Sequence, residues 1–175
     1  VNANVSYNKN EITELYNGIT EYVASDTGRM VAVGHPLGEF YLNRYAGVNP
    51  TNGDALWYTK DGEITTEYNE SDKVMLGKTH EAPWQGGFGT TLSWQGFSLS
   101  AQFTWVADRW MLNNDRVFQE SNGLFSAYNQ SKRMLYDRWK KPGDVTDIPR
   151  YGVTPQLDSR FLEDASFLRL KNLML

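Results

Sequence analysis

Residues 86–105 read GGFGTTLSWQGFSLSAQFTW, and the fold turns on how this stretch pairs with itself. Taking Gln95-Gly96 as a two-residue turn sets Trp94 opposite Phe97, Leu92 opposite Leu99, Thr90 opposite Ala101 and Phe88 opposite Phe103. On the reverse side Ser93 meets Ser98, Thr91 meets Ser100, Gly89 meets Gln102 and Gly87 meets Thr104. One face is apolar with aromatics at both ends, and the other is small and polar. A slip of one residue would scramble both faces, so the register is well specified. Such a ribbon needs an apolar medium on one side and a wet one on the other. That medium is either a sandwich core or lipid.

The same alternation appears at both ends of the chain. Val1, Ala3, Val5 and Tyr7 alternate with Asn2, Asn4, Ser6 and Asn8, which predicts a strand that runs on through Ile12 to Tyr16. Ser166–Leu175 reads as another, with Leu168, Leu170 and Met174 on one face, Arg169 and Lys171 on the other, and Asn172 as an interruption. Between these lie long stretches at 17–86 and 108–165. Met30–Val33 and Phe40–Tyr45 look like short strands, while NPTNG at 49–53 and KDGE at 60–63 are turn signals. The second stretch is expected to hold one helix, about Leu124 to Lys140, stopped by Pro142-Gly143, with Tyr128, Leu135 and Trp139 on one side.

A tight turn at one end of the strands and long connections at the other is a lopsided plan, and long connections usually signal function. Membrane barrels have this asymmetry, with aromatic girdles where Trp94, Phe97 and Trp105 fall. From the pattern alone, sandwich and barrel both remain open. No run approaches the roughly 20 apolar residues of a membrane-spanning helix, which does not bear on a barrel. Both termini fall inside alternating stretches, so strands are expected to continue beyond them.

Composition removes several function classes. The net charge of −4 over 175 residues comes without a basic cluster of the kind nucleic acid requires. Lys132, Arg133, Arg138, Lys140 and Lys141 read as the solvated side of the expected helix. There is no cysteine, hence no disulfide and no thiolate metal site. The two histidines, His35 and His80, sit in Gly/Pro-rich loop sequence, and no G-x-S-x-G is present. Asp61/Glu63 and Glu70/Asp72 have the look of scattered loop acids rather than a glycosidase pair. No catalytic residue is assigned, and no cofactor.

Five pieces in order resemble the C-terminal part of the SusC/RagA-type TonB-dependent outer-membrane transporters. VSYNKNEITEL (5–15) is similar to an Asn-rich strand of that family. VGHPLGEFYLNRYAGVNPTNGDALWYTKDGEIT (33–65) is similar to its Gly/Pro-punctuated segment, and SDKVMLGKTHEAPWQGGFGTTLSWQGFSLSAQFTW (71–105) to its D-x-x-x-x-G-x-x-x-P stretch and the hairpin that follows. RWKKPGDVTDIPR (138–150) and LEDASFLRLKNLML (162–175) look like its W-x-x-P-G-D and S-F-l-R-l-k-n motifs. The acidic loop of the family is thin here: Asp61, Glu63, Thr65 and Asp72 lack the regular calcium-loop spacing, so no metal is carried over.

The resemblance implies an all-β chain, the C-terminal portion of a large antiparallel transmembrane β-barrel of about 22 strands when complete. Long extracellular loops, one with a short helix, complete it. Strands are expected at about 1–16, 87–94, 97–107 and 166–175, and extracellular loops at about 17–86 and 108–165. The plug and the TonB-contacting segment would lie outside this chain. Phe88, Leu92, Trp94, Phe97, Leu99, Phe103 and Trp105 are expected to face lipid. Ser98, Ser100, Gln102, Thr104, Arg169 and Lys171 are expected to face the lumen, the two cations lining the solute path or pairing with plug carboxylates. Trp57, Tyr58, Trp84, Trp110 and Tyr128 are candidate loop contacts for a ligand or partner, against the simpler role of packing the loops together. The implied setting is the outer membrane of a Gram-negative bacterium. The implied activity is import of oligosaccharides or peptides with a SusD-like surface lipoprotein, driven through TonB rather than by catalysis. The competing expectation is a soluble carbohydrate-binding or adhesin-like β-sandwich.

Overall fold

The computed structural model describes residues 1–24, 28–125 and 127–175. Among them it places β1 (Asn2–Tyr7), β2 (Glu21–Ala24), β3 (Arg29–Ala32), β4 (Glu39–Leu42), β5 (Arg44–Val48), β6 (Ala55–Tyr58), β7 (Ile64–Thr65) and β8 (Val74–Thr79). The hairpin is β9 (Trp84–Trp94) and β10 (Phe97–Ala107). After it come β11 (Trp110–Leu112), helices α1 (Asn114–Gln119) and α2 (Lys132–Tyr136), β12 (Leu162–Asp164) and β13 (Phe167–Met174).

Four of these strands form one antiparallel wall in the order β1-β9-β10-β13. The hairpin has the register its two faces demand, from Phe97 opposite Trp94 to Ala107 opposite Trp84. Gln95 and Gly96 take φ of 47° and 87°. Both are left-handed, as a two-residue turn matched to strand twist requires. Strand β1 extends the pattern, with Ala3 opposite Phe88, Val5 opposite Gly86 and Tyr7 opposite Trp84. The Phe88 and Phe103 rings stack at 4.9 Å, and those of Tyr7 and Trp84 lie 4.4 Å apart. Gly86 has no side chain because none fits: a Cβ there would lie 2.9 Å from the Trp105 indole.

Three expectations need correction. Strand β1 stops at Tyr7 instead of reaching Tyr16. Asn8 still donates to the Pro83 carbonyl, but Ile12 turns away and bonds to Gly34 and His35 of the first long connection. On β13, Gln102 pairs with Asn172 but Phe103 pairs with Leu170, which leaves Lys171 as a bulge. The extra residue shifts the alternation, so Leu173 joins Leu168 and Leu170 on the apolar face and Met174 falls opposite Ser100 on the polar one. Asn172 is therefore no interruption; the bulge turns it to the polar side. Finally, of the helix expected over 124–140 only α2, Lys132–Tyr136, forms among the described residues, while α1 lies outside that range. Ser131 is extended before it, at ψ 145°, and Asp137 caps its other end. Asn113 and Ser131 cap the two helices by accepting from Arg116 and Arg133 N–H groups.

The rest of the chain folds at one end of the wall. Strands order as β2-β3-β4-β8 and β5-β6-β7, with β11 paired to β12. Phe40, Leu42 and Leu162 form the core, joined by Leu76, Trp110, Leu112 and Leu157. Its members come from both long connections, so the two do not fold separately. A second seam ties them. Pro50 O accepts from Gly143 N–H at 2.8 Å and from Trp139 Nε1 at 3.2 Å, while Arg150 bonds Gly53 O and Asp54. Gly53, at φ 80°, lies under the Trp139 ring, and a Cβ there would collide with it and lie 2.8 Å from Arg150 Cβ. Gly53→Ala is therefore expected to cost roughly 1–3 kcal/mol from overpacking and left-handed strain. Faster protease nicking near residues 139–150 in the full-length receptor is the measurement.

The wall has no such core. Leu92, Trp94 and Phe97 expose 63%, 71% and 67% of their surface. Among the described residues no second sheet covers that face, which a sandwich would require.

Candidate functional site

The polar face of the wall is built from β1, β9, β10 and β13, and alternation alone decides what it presents. Ser93 and Ser98 hydroxyls lie 2.7 Å apart, and Thr91 donates to Ser100 at 3.1 Å. Gly87 N–H donates to Asn4 Oδ1 at 3.0 Å, which holds that amide over the strand. Two adjoining grooves run along this face, of about 250 Å³ and 420 Å³, and share Asn2, Gly89 and Gln102. Lys171 lines the larger one. The Arg169 guanidinium lies 4.7 Å from the centre of the Phe167 ring on the same face. None of the four wall strands contains an acidic residue, so Arg169 and Lys171 carry all of its formal charge.

The part beyond the wall is fastened by buried carboxylates, Asp158 and Glu120 among them. Asp158 accepts from Trp57 Nε1 at 2.8 Å and from Arg160 N–H at 2.9 Å, and burial pushes its carboxyl above the usual range. The next residue, Ser159, bonds Asn43 O through its N–H and accepts from Tyr45 N–H, which joins β5 to the second connection. Glu120 is fully buried and receives Arg116 Nε at 3.0 Å and Arg133 Nη1 at 2.6 Å. Arg116 continues to Glu163 at 2.9 Å, and Arg133 to Asp147 at 2.7 Å. Hydrogen bonds from Asn113 and Arg116 hold the Glu163 carboxyl below the ordinary glutamate value. These acids fix loops. No cluster of three or more metal-ligating side chains occurs among the described residues.

Comparison with known proteins settles the family. No family model matches the chain. TonB-dependent receptor P3 of Formosa agariphila is 25% identical over 193 aligned positions, which cover 97% of this chain and 18% of that receptor. The solved RagAB peptide transporter superposes with a TM-score of 0.90 at 38% identity, over 98% of this chain and 20% of its own. This chain is a portion of a SusC/RagA-type TonB-dependent receptor. The RagAB peptide importer in its open-open state gives a TM-score of 0.86 at 40% identity, over 98% and 19%. The chain thus spans about a fifth of the length of these relatives.

Within this receptor portion the sequence candidates separate. Phe88, Leu92, Trp94, Phe97, Leu99, Phe103 and Trp105 share one wall face, and Ser98, Ser100, Gln102, Thr104 and Arg169 share the other. The loop aromatics do not act as a set. Trp57 is 5% exposed and tied to Asp158, with no ring face open to a ligand. Trp84 begins wall strand β9 on its apolar side. Lys78 sits 3.5 Å over the Trp110 ring, and Arg44 lies 5.4 Å from that of Tyr58. Tyr128 remains open at 60%, packed beside Phe118 and Phe125. Phe118 and Phe125 were not singled out in the sequence, because only the turn at Asn122-Gly123 brings them together. Lys132 and Arg133 do not share one solvated helix side with Lys140 and Lys141: Arg133 is drawn into the Glu120 network.

Proposed function

We propose that this chain supplies part of the barrel wall and external loops of an outer-membrane importer of a Gram-negative bacterium. The complete barrel, of about 22 strands, supplies partners for the outer edges of β1 and β13, since backbone groups in lipid must be paired. Cargo is an oligosaccharide or a peptide, and the likeness to a peptide importer favours peptides. A SusD-like surface lipoprotein covers the external loops, and TonB acts through a part of the receptor outside this chain. No catalysis is assigned to it. The wall carries this reading: one face is apolar and uncovered, the other is polar and grooved, and register keeps them apart.

Uptake by cells expressing the full-length receptor tests the proposal. Labelled oligopeptides are expected to accumulate only when receptor, its lipoprotein and TonB are all present. Accumulation that survives loss of TonB, or uptake of neither peptides nor oligosaccharides, would refute it.

A further inference from the structure

We infer that the open edge of β2, in the first long connection, is a docking strand for an extended peptide bearing a cation, held through backbone hydrogen bonds. The inference rests on the peptide-importer reading above and adds the place where cargo is caught. The sheet β2-β3-β4-β8 has two edges, and they are built differently. Edge strand β8 carries Lys78, laid over the Trp110 ring at 3.5 Å, and Gly77 with φ 67°, whose N–H donates to Glu39. A lysine and a kinked backbone are devices that keep an edge from recruiting another strand. Strand β2, Glu21–Ala24, has no lysine, no proline and no left-handed residue.

Register identifies the groups on offer. Val33 N–H donates to Thr20 O at 2.9 Å, so Thr20 and Val33 form a hydrogen-bonded pair, and Tyr22 with Val31 is the next. Glu21 and Val23 therefore aim their N–H and C=O groups away from β3, about 6.7 Å apart along the edge. Among the described residues none of these four groups has a partner. Tyr22 and Val23 are both exposed although alternation sends them to opposite faces, so an added strand finds a side chain to pack against on either side. Backbone pairing gives affinity without reading side chains, and four hydrogen bonds hold weakly enough to let go, as import requires. Charge narrows the occupant. Glu21 is exposed and makes no ion pair among the described residues, so a Lys or Arg of the peptide, or its ammonium terminus, completes the match.

The test measures binding of a fluorescent octapeptide of alternating Thr and Lys to the purified full-length receptor with its lipoprotein. Val23→Pro removes an outward N–H and blocks the edge with its ring, while the bonds of Tyr22 to β3 remain. It should weaken binding roughly ten-fold, as loss of one or two hydrogen bonds does, whereas Val23→Thr keeps the wild-type affinity. Glu21→Gln should weaken it roughly three-fold, as loss of one exposed charge pair does. Heat-modifiable gel mobility verifies that each variant is folded. The wild-type complex should also bind the same octapeptide, methylated at every peptide nitrogen, roughly ten-fold more weakly, a readout that needs no variant to fold. Unchanged affinity in the proline variant, or for the methylated octapeptide, overturns the inference. So does a proline variant that loses the lipoprotein but keeps its peptide affinity, which gives the edge to the lid. Failure of the wild-type complex to bind the octapeptide at all would overturn the peptide-importer reading itself, and the inference with it.

Discussion

Leu99→Arg in the full-length receptor is expected to abolish most folded protein in the membrane, while Ser100→Arg beside it is tolerated. Leu99 stands opposite Leu92, within the apolar band that runs from Trp94 and Phe97 to Tyr7 and Trp84. Both leucines are open on this chain, and in the proposed barrel lipid is the medium an arginine would meet. Near the bilayer midplane that costs about 2–4 kcal/mol, a large share of a typical folding free energy. Ser100 points to the groove side, where an arginine is solvated and clashes with little. Urea unfolding in lipid vesicles measures the difference directly. Equal effects of the two substitutions would mean that alternation does not divide lipid from water.

Glu120→Ala is expected to open the second long connection without unfolding the wall. The Glu120 carboxylate is buried and shared between Arg116 and Arg133. Its removal leaves two partly buried guanidiniums short of an acceptor, a change that typically costs about 3–5 kcal/mol. The lower end applies here, because Arg116 keeps Glu163 and Arg133 keeps Asp147. A loss of about 3 kcal/mol raises local opening by roughly 100-fold. Hydrogen exchange over residues 113–137 should accelerate on that scale, while β9 and β10 keep their protection. Glu120→Gln, which retains one acceptor, should fall between. Unchanged exchange in the alanine variant would show that the network is not what orders this connection.

The wall was legible in the sequence because one short-range rule generates it. Gln95-Gly96 fixes the register, and period-two alternation then assigns every side chain from Gly87 to Thr104 without distant information, though not Trp84, which read as a loop residue and starts the strand. The bulge at Lys171 was hidden, since Leu168, Leu170 and Met174 also keep a period of two. Only pairing against Gln102 and Phe103 distinguishes the readings. The long connections resisted for a different reason. Their folding depends on contacts far apart in the chain, such as Trp57 with Asp158 and Gly53 with Trp139, which no local pattern reports. The aromatic spacing of Tyr128, Leu135 and Trp139 imitates a helix face, but the extended Ser131 starts a helix that ends at Tyr136 and leaves Tyr128 and Trp139 outside it. Trp57 looked like a ligand platform for the same reason: exposure is a property of the assembled loops.

The most direct measurement is a nitroxide scan along residues 86–94 and 97–105 of the full-length receptor in lipid bilayers, one cysteine at a time, in a stretch that has none of its own. Accessibility to dissolved oxygen should peak at Phe88, Thr90, Leu92, Leu99, Ala101 and Phe103, with a water-soluble relaxant peaking at the positions between. Labels on both sets reporting the same surroundings, or the apolar set shielded from oxygen, would contradict a wall with lipid on one face and water on the other.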